Sequence, residues 1–225
     1  MEKSKQNRRL ELERTWRQLK CRWNGIDVAV YEYLKGQAAE DLMSEHRRFL
    51  ADIRMVEYVS QWKATIAFAV RDARRNLVGI LNTKLEGNRY LSNVKKTCYL
   101  DQTESGIVGS SVHFGEPAEA LMVSVGIESA LIIAVATQRT PTWAALGATG
   151  LRTLQVPERV RTVSIYADFD PTDTIQESSF TLADRLRAEG RTVNVRIPPC
   201  SIPGMSGYVR WHDVWMLERS RMWPM

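Results

Sequence analysis

The feature that most constrains the fold is an alternation, across residues 118–218, of short apolar runs and longer amphipathic stretches. Strands are expected at 121–125, 142–146, 163–167 and 192–197, and helices at 127–136, 151–154, 175–188 and 211–217. Strands that alternate with helices imply a parallel sheet with both faces covered, an α/β architecture. The third of these strands ends in Asp168-Phe169-Asp170. Residues i and i+2 of an extended segment point the same way. At the carboxyl end of a parallel strand, Asp168 and Asp170 therefore aim into the crevice where open α/β sheets bind ligands. Two carboxylates there suit Mg²⁺ or Mn²⁺, hard cations that take oxygen donors.

Local signals place the same pair at a strand-to-helix turn. Pro171 holds Asp170 extended, and Thr172, Asp173 and Thr174 are all N-cap types. Ile175, Leu182, Ala183 and Leu186 then form an apolar stripe, and Gly190 closes the helix. Two roles are thus open to the carboxylates, metal ligation and capping of the turn.

The rest of the chain divides into a helical basic segment (1–60), a small β-rich subdomain (61–116) and the alternating region (117–225). Helices are expected from 7 to about 57, broken at Gly25 and Gly36. A hairpin is expected from 65–70 and 77–81 around the polar turn 72–76. The net charge of +5 is concentrated in residues 1–24, which hold eight basic and three acidic side chains; the remainder carries 23 of each sign. Leu12, Trp16, Leu19 and Trp23 recur at helical spacing, so Arg8, Arg9, Arg14, Arg17 and Lys20 form the outer face of an amphipathic helix. That face, with Lys84, Lys95 and Lys96, is a candidate contact for nucleic-acid phosphates. The alternative is a solvated face on a helix packed through its Trp stripe.

Other classes find no support. There is no Walker motif and no GxGxxG. The longest apolar run, residues 130–136, is too short to span a bilayer, and the charged N-terminus has no signal-peptide core, so a cytoplasmic protein with no membrane partner is expected. Cys21, Cys98 and Cys200 are too scattered for a disulfide framework or zinc knuckle, and His46, His113 and His212 show no metal spacing. Residues 168–172 read DxDxT, as in haloacid-dehalogenase-type phosphatases, but no Lys follows Thr172, as that chemistry requires.

Several segments together resemble the Toprim-type primase module of phage and plasmid primase-helicase proteins. Residues 120–131, ALMVSVGIESAL, resemble the family's strand, Glu-Gly and helix segment, usually written EGIETAL. Residues 143–151 resemble its second strand and glycine-marked turn, 164–170 its DxD strand, and Trp211-His212-Asp213-Val214 its closing DWNDV element. Leu77-Val78-Gly79-Ile80 is similar to the β-rich segment that precedes Toprim in these proteins. The resemblance implies a Toprim-like sheet and a divalent-metal site for phosphoryl transfer, with Asp168 and Asp170 as metal ligands. It also implies single-stranded or duplex nucleic acid as partner, and a replicative helicase or another replication protein.

The departures shape the functional expectation. Val125 stands where the family has its catalytic Glu, and Val can neither bind a metal nor move a proton. Glu128 matches the second acidic position and is the substitute carboxylate. Arg210 and His212 replace acidic and amide residues of the closing element, and Asp213 is retained. The expectation is a replication or mobile-element protein with weakened catalysis that acts by binding. The alternative is an active minimal DNA primase or Toprim phosphotransferase using Glu128, Asp168 and Asp170 with Mg²⁺.

Overall fold

The computed structural model describes residues 2–19, 33, 34, 39, 42, 49–60, 63–87, 94–102 and 107–222. Lys20, Cys21, Trp23, His46 and Trp62 lie outside them, as do most residues of the helices expected at 26–34 and 38–50.

The order is α1 (Glu2–Gln18), β1 (Ile53–Ser60), β2 (Lys63–Arg71), β3 (Leu77–Gly87), β4 (Val94–Gln102), β5 (Ser111–Phe114) and β6 (Ala120–Val125). Then come α2 (Ile127–Ala136), β7 (Thr142–Ala145), α3 (Gly147–Thr153), β8 (Thr162–Tyr166), α4 (Thr174–Ala188) and β9 (Thr192–Arg196). The hairpin β10 (Ser201–Ile202) and β11 (Met205–Ser206) leads to α5 (Trp211–Met222). A nine-stranded sheet runs β4-β3-β2-β5-β7-β6-β8-β9, with β1 also paired to β2. The strands β7-β6-β8-β9 are mutually parallel, as expected for an α/β fold. All pairings among β1 to β5, and β5 with β7, are antiparallel. The sheet is continuous across residues 116 and 117 because β5 joins β2 to β7.

Period-two alternation assigns each face its helices. On one face Ala144 of β7 joins Val112, Phe114, Ile66, Phe68 and Val70 against Ile127, Ala130, Leu131 and Ala134 of α2. Tyr33, Leu34, Leu42, Phe49 and Leu50 complete that core. On the other face Trp143 and Ala145 join Leu121, Val123 and Val125 of β6 against Leu151 of α3 and Ile175, Leu182, Ala183 and Leu186 of α4. The stripe read from α4 is therefore its buried face. Each such Leu or Ile contributes about 1.5–3 kcal/mol through burial. α5 packs on α2.

Three strands of the main sheet depart from expectation, as does the hairpin β10–β11. Residues 53–57, expected as helix, begin β1, which pairs antiparallel with β2 from Ile53↔Phe68 to Ser60↔Lys63. Edge pairing, with Ile53 anchored in the core, overrides local helix propensity there. β4 was not anticipated because it reads as polar, yet it pairs with β3 along its length. β5 follows a Gly/Ser-rich stretch and has only four residues, but all are buried.

Under β2 and β3, a third core holds Leu12 and Trp16 of α1 against Ala67, Ala69, Leu77 and Ile80. The Trp stripe therefore docks the basic helix on the sheet. Arg54 of β1 lies over the Trp16 ring at 4.7 Å.

Candidate functional site

The strand end expected to carry the site is held by the closing segment. After β8, Phe169 forms an antiparallel bridge with Val209, its amide donating to the Val209 carbonyl at 2.8 Å and its carbonyl accepting at 2.9 Å. Asp168 and Asp170 flank that bridge and are both buried.

Asp168 points into a closed environment and is only 2% exposed. Its Oδ1 accepts the Trp211 amide at 3.2 Å and the Ser129 hydroxyl at 3.5 Å, and its Oδ2 accepts the Tyr208 hydroxyl at 3.3 Å. Trp211 also donates its indole N–H to the Ala167 carbonyl at 3.0 Å, so the start of α5 is pinned to the end of β8 twice. Burial pushes the Asp168 pKa up to about 6, against the pull of the Trp211 and Tyr208 hydrogen bonds and the Arg210 charge.

Asp170 has a different occupation. Its Oδ1 accepts the Thr172 amide at 2.9 Å, and both its oxygens accept the Thr172 hydroxyl at 2.9 Å. The Thr172 amide is the main cause that holds its pKa below the ordinary value, with help from the Thr172 hydroxyl and the amides of Ile175 and Thr174. The Thr174 and Ile175 amides are free N–H groups at the start of α4, and Thr172 lies just before its N-cap, so Asp170 closes the lead-in turn and caps the helix start. Asp173 occupies the N-cap position with φ +58° and no capping hydrogen bond of its own. Gln176 braces the turn, donating to the Asp170 carbonyl at 2.8 Å and accepting the Asp170 amide at 3.2 Å.

The neighbouring carboxylates are also engaged. Glu128 stands in the first turn of α2, where a negative charge suits the helix dipole, and accepts the Tyr33 hydroxyl at 2.9 Å. Asp213 takes both arms of Arg210, at 2.7 and 3.0 Å. Burial acts to raise its pKa, but the nearby His212, whose Nδ1 lies 3.7 Å away, and the Arg210 hydrogen bonds hold it well below the usual carboxylate range. Arg210 is held protonated first by its hydrogen bond to Asp213, then by the charges of Asp213, Glu128 and Asp168. The Tyr208 hydroxyl is kept protonated by burial and by both Asp168 and Asp170. Arg210 and Tyr208 are thus the shared neighbours that link Glu128, Asp168, Asp170 and Asp213.

At the tip of β6, Val125 is buried in the apolar core, and Gly126 turns the chain into α2 with φ +83° and ψ 156°. That backbone region is essentially restricted to glycine.

As arranged, these residues do not fit a divalent cation. One carboxylate is protonated more readily than usual, the other is saturated by a helix terminus, and a guanidinium supplies the compensating charge. Among the described residues, no three of His, Cys, Asp and Glu are grouped to hold a metal ion. Sequence reasoning missed Ser129, Tyr208 and the backbone role of Trp211. Ser129 and Trp211 lie in the segments that resemble Toprim, which was the available signal; Tyr208 had none.

Arg8, Arg9, Arg14 and Arg17 are exposed on α1, as is Lys84 on β3. Ile80 faces α1, and Lys84 is four residues further along the same strand, so it shares that face. Lys95 and Lys96 lie on β4, paired with Glu86 and Leu85.

Residues 120–216 match the family model of the Toprim domain, and this segment carries that fold. No curated protein matches the chain in sequence. Among solved structures, the chain is similar to the primase fragment of the bacteriophage T7 primase-helicase protein, at 12% identity and a TM-score of 0.47. The similarity covers 84% of this chain and 66% of that one.

Proposed function

We propose that this chain serves DNA replication or mobile-element biology as a Toprim-fold protein with weakened catalysis, acting mainly by binding nucleic acid or a replication protein such as a helicase. The observation that carries this is the state of the carboxylates: Asp170 caps α4, Asp168 is buried with a raised pKa, and Val125 fills the strand tip that resembles the family's Glu position. Mg²⁺ or Mn²⁺ binding is accordingly weak or absent. The partner is single-stranded or duplex nucleic acid in the cytoplasm, met by the face that carries α1 and Lys84.

A second function, minimal DNA primase or Toprim phosphotransferase, is favoured by one observation. The Ser129 hydroxyl, one residue beyond Glu128, donates to Asp168 Oδ1 at 3.5 Å, which supports Glu128 as a substitute carboxylate for the retained Asp pair.

One paired assay separates the two. Purified native chain and Val125→Glu are tested for Mn²⁺ affinity by calorimetry and for template-dependent primer synthesis. The native chain is expected to bind an oligonucleotide without making primers. Primer synthesis by the native chain that is lost in Asp168→Asn and Glu128→Gln would establish the enzyme instead.

A further inference from the structure

We propose that the cleft between α1 and the β2–β3 turn seats the phosphodiester backbone of a single nucleic-acid strand, with Arg75 as its central donor. This rests on the nucleic-acid-binding function above and locates it at a built site. The cleft has a volume of about 330 Å³ and is lined by Arg9, Arg17, Arg71, Arg75, Trp16 and Asn76, and by Glu13, which pairs with Arg9 at 3.4 Å and with Arg17 at 3.5 Å. That volume is at the lower end of ordinary ligand clefts, about 300–1,000 Å³.

The turn is rigid before any ligand arrives. Asp72 Oδ1 accepts the amides of Arg74 at 2.9 Å and Asn76 at 2.8 Å, and Asn76 Nδ2 donates to Asp72 Oδ2 at 2.8 Å. Arg71 grips Asp52 through Nε and Nη2, both at 2.7 Å, and its Nη1 donates to the Arg75 carbonyl at 3.0 Å. Arg71 is therefore spent on positioning. The helix is tied to the same turn, because Arg9 Nη2 donates to Asn76 Oδ1 at 2.7 Å.

What this framework presents is Arg75, in the left-handed region at φ +66°. Few bulky residues adopt that conformation without support. Its Nη1 is buried and has no hydrogen-bond acceptor. Its ion-pair contact is Glu116 at 3.5 Å, whose side chain is 71% exposed. Nη1 is thus ion-paired but not hydrogen-bonded, and a phosphate oxygen is an acceptor that guanidinium geometry suits. Among the described residues, four arginines and one acidic side chain, Glu13, line the cleft. With burial, Arg75 and Arg71 hold the pKa of nearby His113 well below its ordinary value. Arg17, with 80% of its side chain exposed, stands at the rim beside its ion-pair partner Glu13, and Trp16, itself buried against the sheet, underlies the floor. Guanidinium groups along a groove are the elements that track a nucleic-acid backbone.

The test is fluorescence anisotropy with a labelled oligothymidylate at low salt, using the full chain. Native protein is expected to bind. Arg75→Ala and Arg17→Ala should each weaken binding roughly tenfold and lower the slope of log K against log salt by about one. Arg159→Ala, exposed on the α3–β8 turn, should change neither. Arg17 is too exposed to matter for folding, so its variant decides the matter even if Arg75→Ala is unstable. Native-like binding by both arginine variants would overturn this seat and leave the broader function standing. No binding by the native chain would overturn both. Equal affinity for a blunt duplex, or for a nucleoside monophosphate, would overturn the assignment to a single strand.

Discussion

At Asp168 the balance of burial against hydrogen bonding gives a testable sign. Its pKa is raised from 3.8 to about 6, so the folded chain holds a proton that the unfolded chain has released. This group's contribution is therefore most favourable below about pH 4 and is lost as pH rises through 6, an effect of about 3 kcal/mol. Asp170 acts in the opposite direction, since its depressed pKa stabilises the fold above its ordinary range and loses that contribution on acidification. Urea unfolding of native protein and Asp168→Asn at a series of pH values isolates the first effect: the native chain should lose stability relative to the variant between pH 4 and 6. The spacing of the two Asp residues showed that they share a strand end, but not that their roles diverge. That divergence depends on Trp211 and Tyr208, some forty residues further on, and on the way Thr172 folds back, and tertiary partners of this kind leave no mark in local spacing.

Elements were most legible where a period repeated. The apolar stripe of α4 and the strands β6, β8 and β9 follow directly from their patterns, and Gly190, at φ +84°, ends α4 as expected. β1, β4 and β5 were hidden because each takes its hydrogen bonds from a neighbouring strand rather than from a local pattern. For α1 the apolar spacing identified the docking side, and the structure adds what it docks on. Trp16→Ala removes the largest side chain from that contact and the support under Arg54, at a cost of about 3 kcal/mol to the docked helix. Hydrogen exchange should then show α1 and the β2–β3 turn losing protection while β6 to β9 keep theirs. Oligonucleotide affinity should fall with it, because α1 forms one wall of the arginine cleft.

Across the whole molecule the sheet and its first core are shared. Ile66, Phe68 and Val70 of β2 lie in the same cluster as Ala130 and Leu131 of α2, so the β-rich part and the Toprim part share apolar contacts. One cooperative thermal transition is expected, with calorimetric and van't Hoff enthalpies in agreement. A chain cut to residues 117–225 would lose β5 and bare the edge of β7, and should fail to give that transition. The pairing of β2 has a further consequence. Residues 65–70, TIAFAV, carry no charge, proline or glycine, the composition that stacks readily into cross-β fibrils. β3 pairs along one side of this strand, while the other is taken by β1 as far as Phe68, by the Asp52 carbonyl at the Ala69 amide, and by β5 from Val70. Both edges are therefore occupied in the native state, and the segment can recruit other chains only when nascent, unfolded or cut.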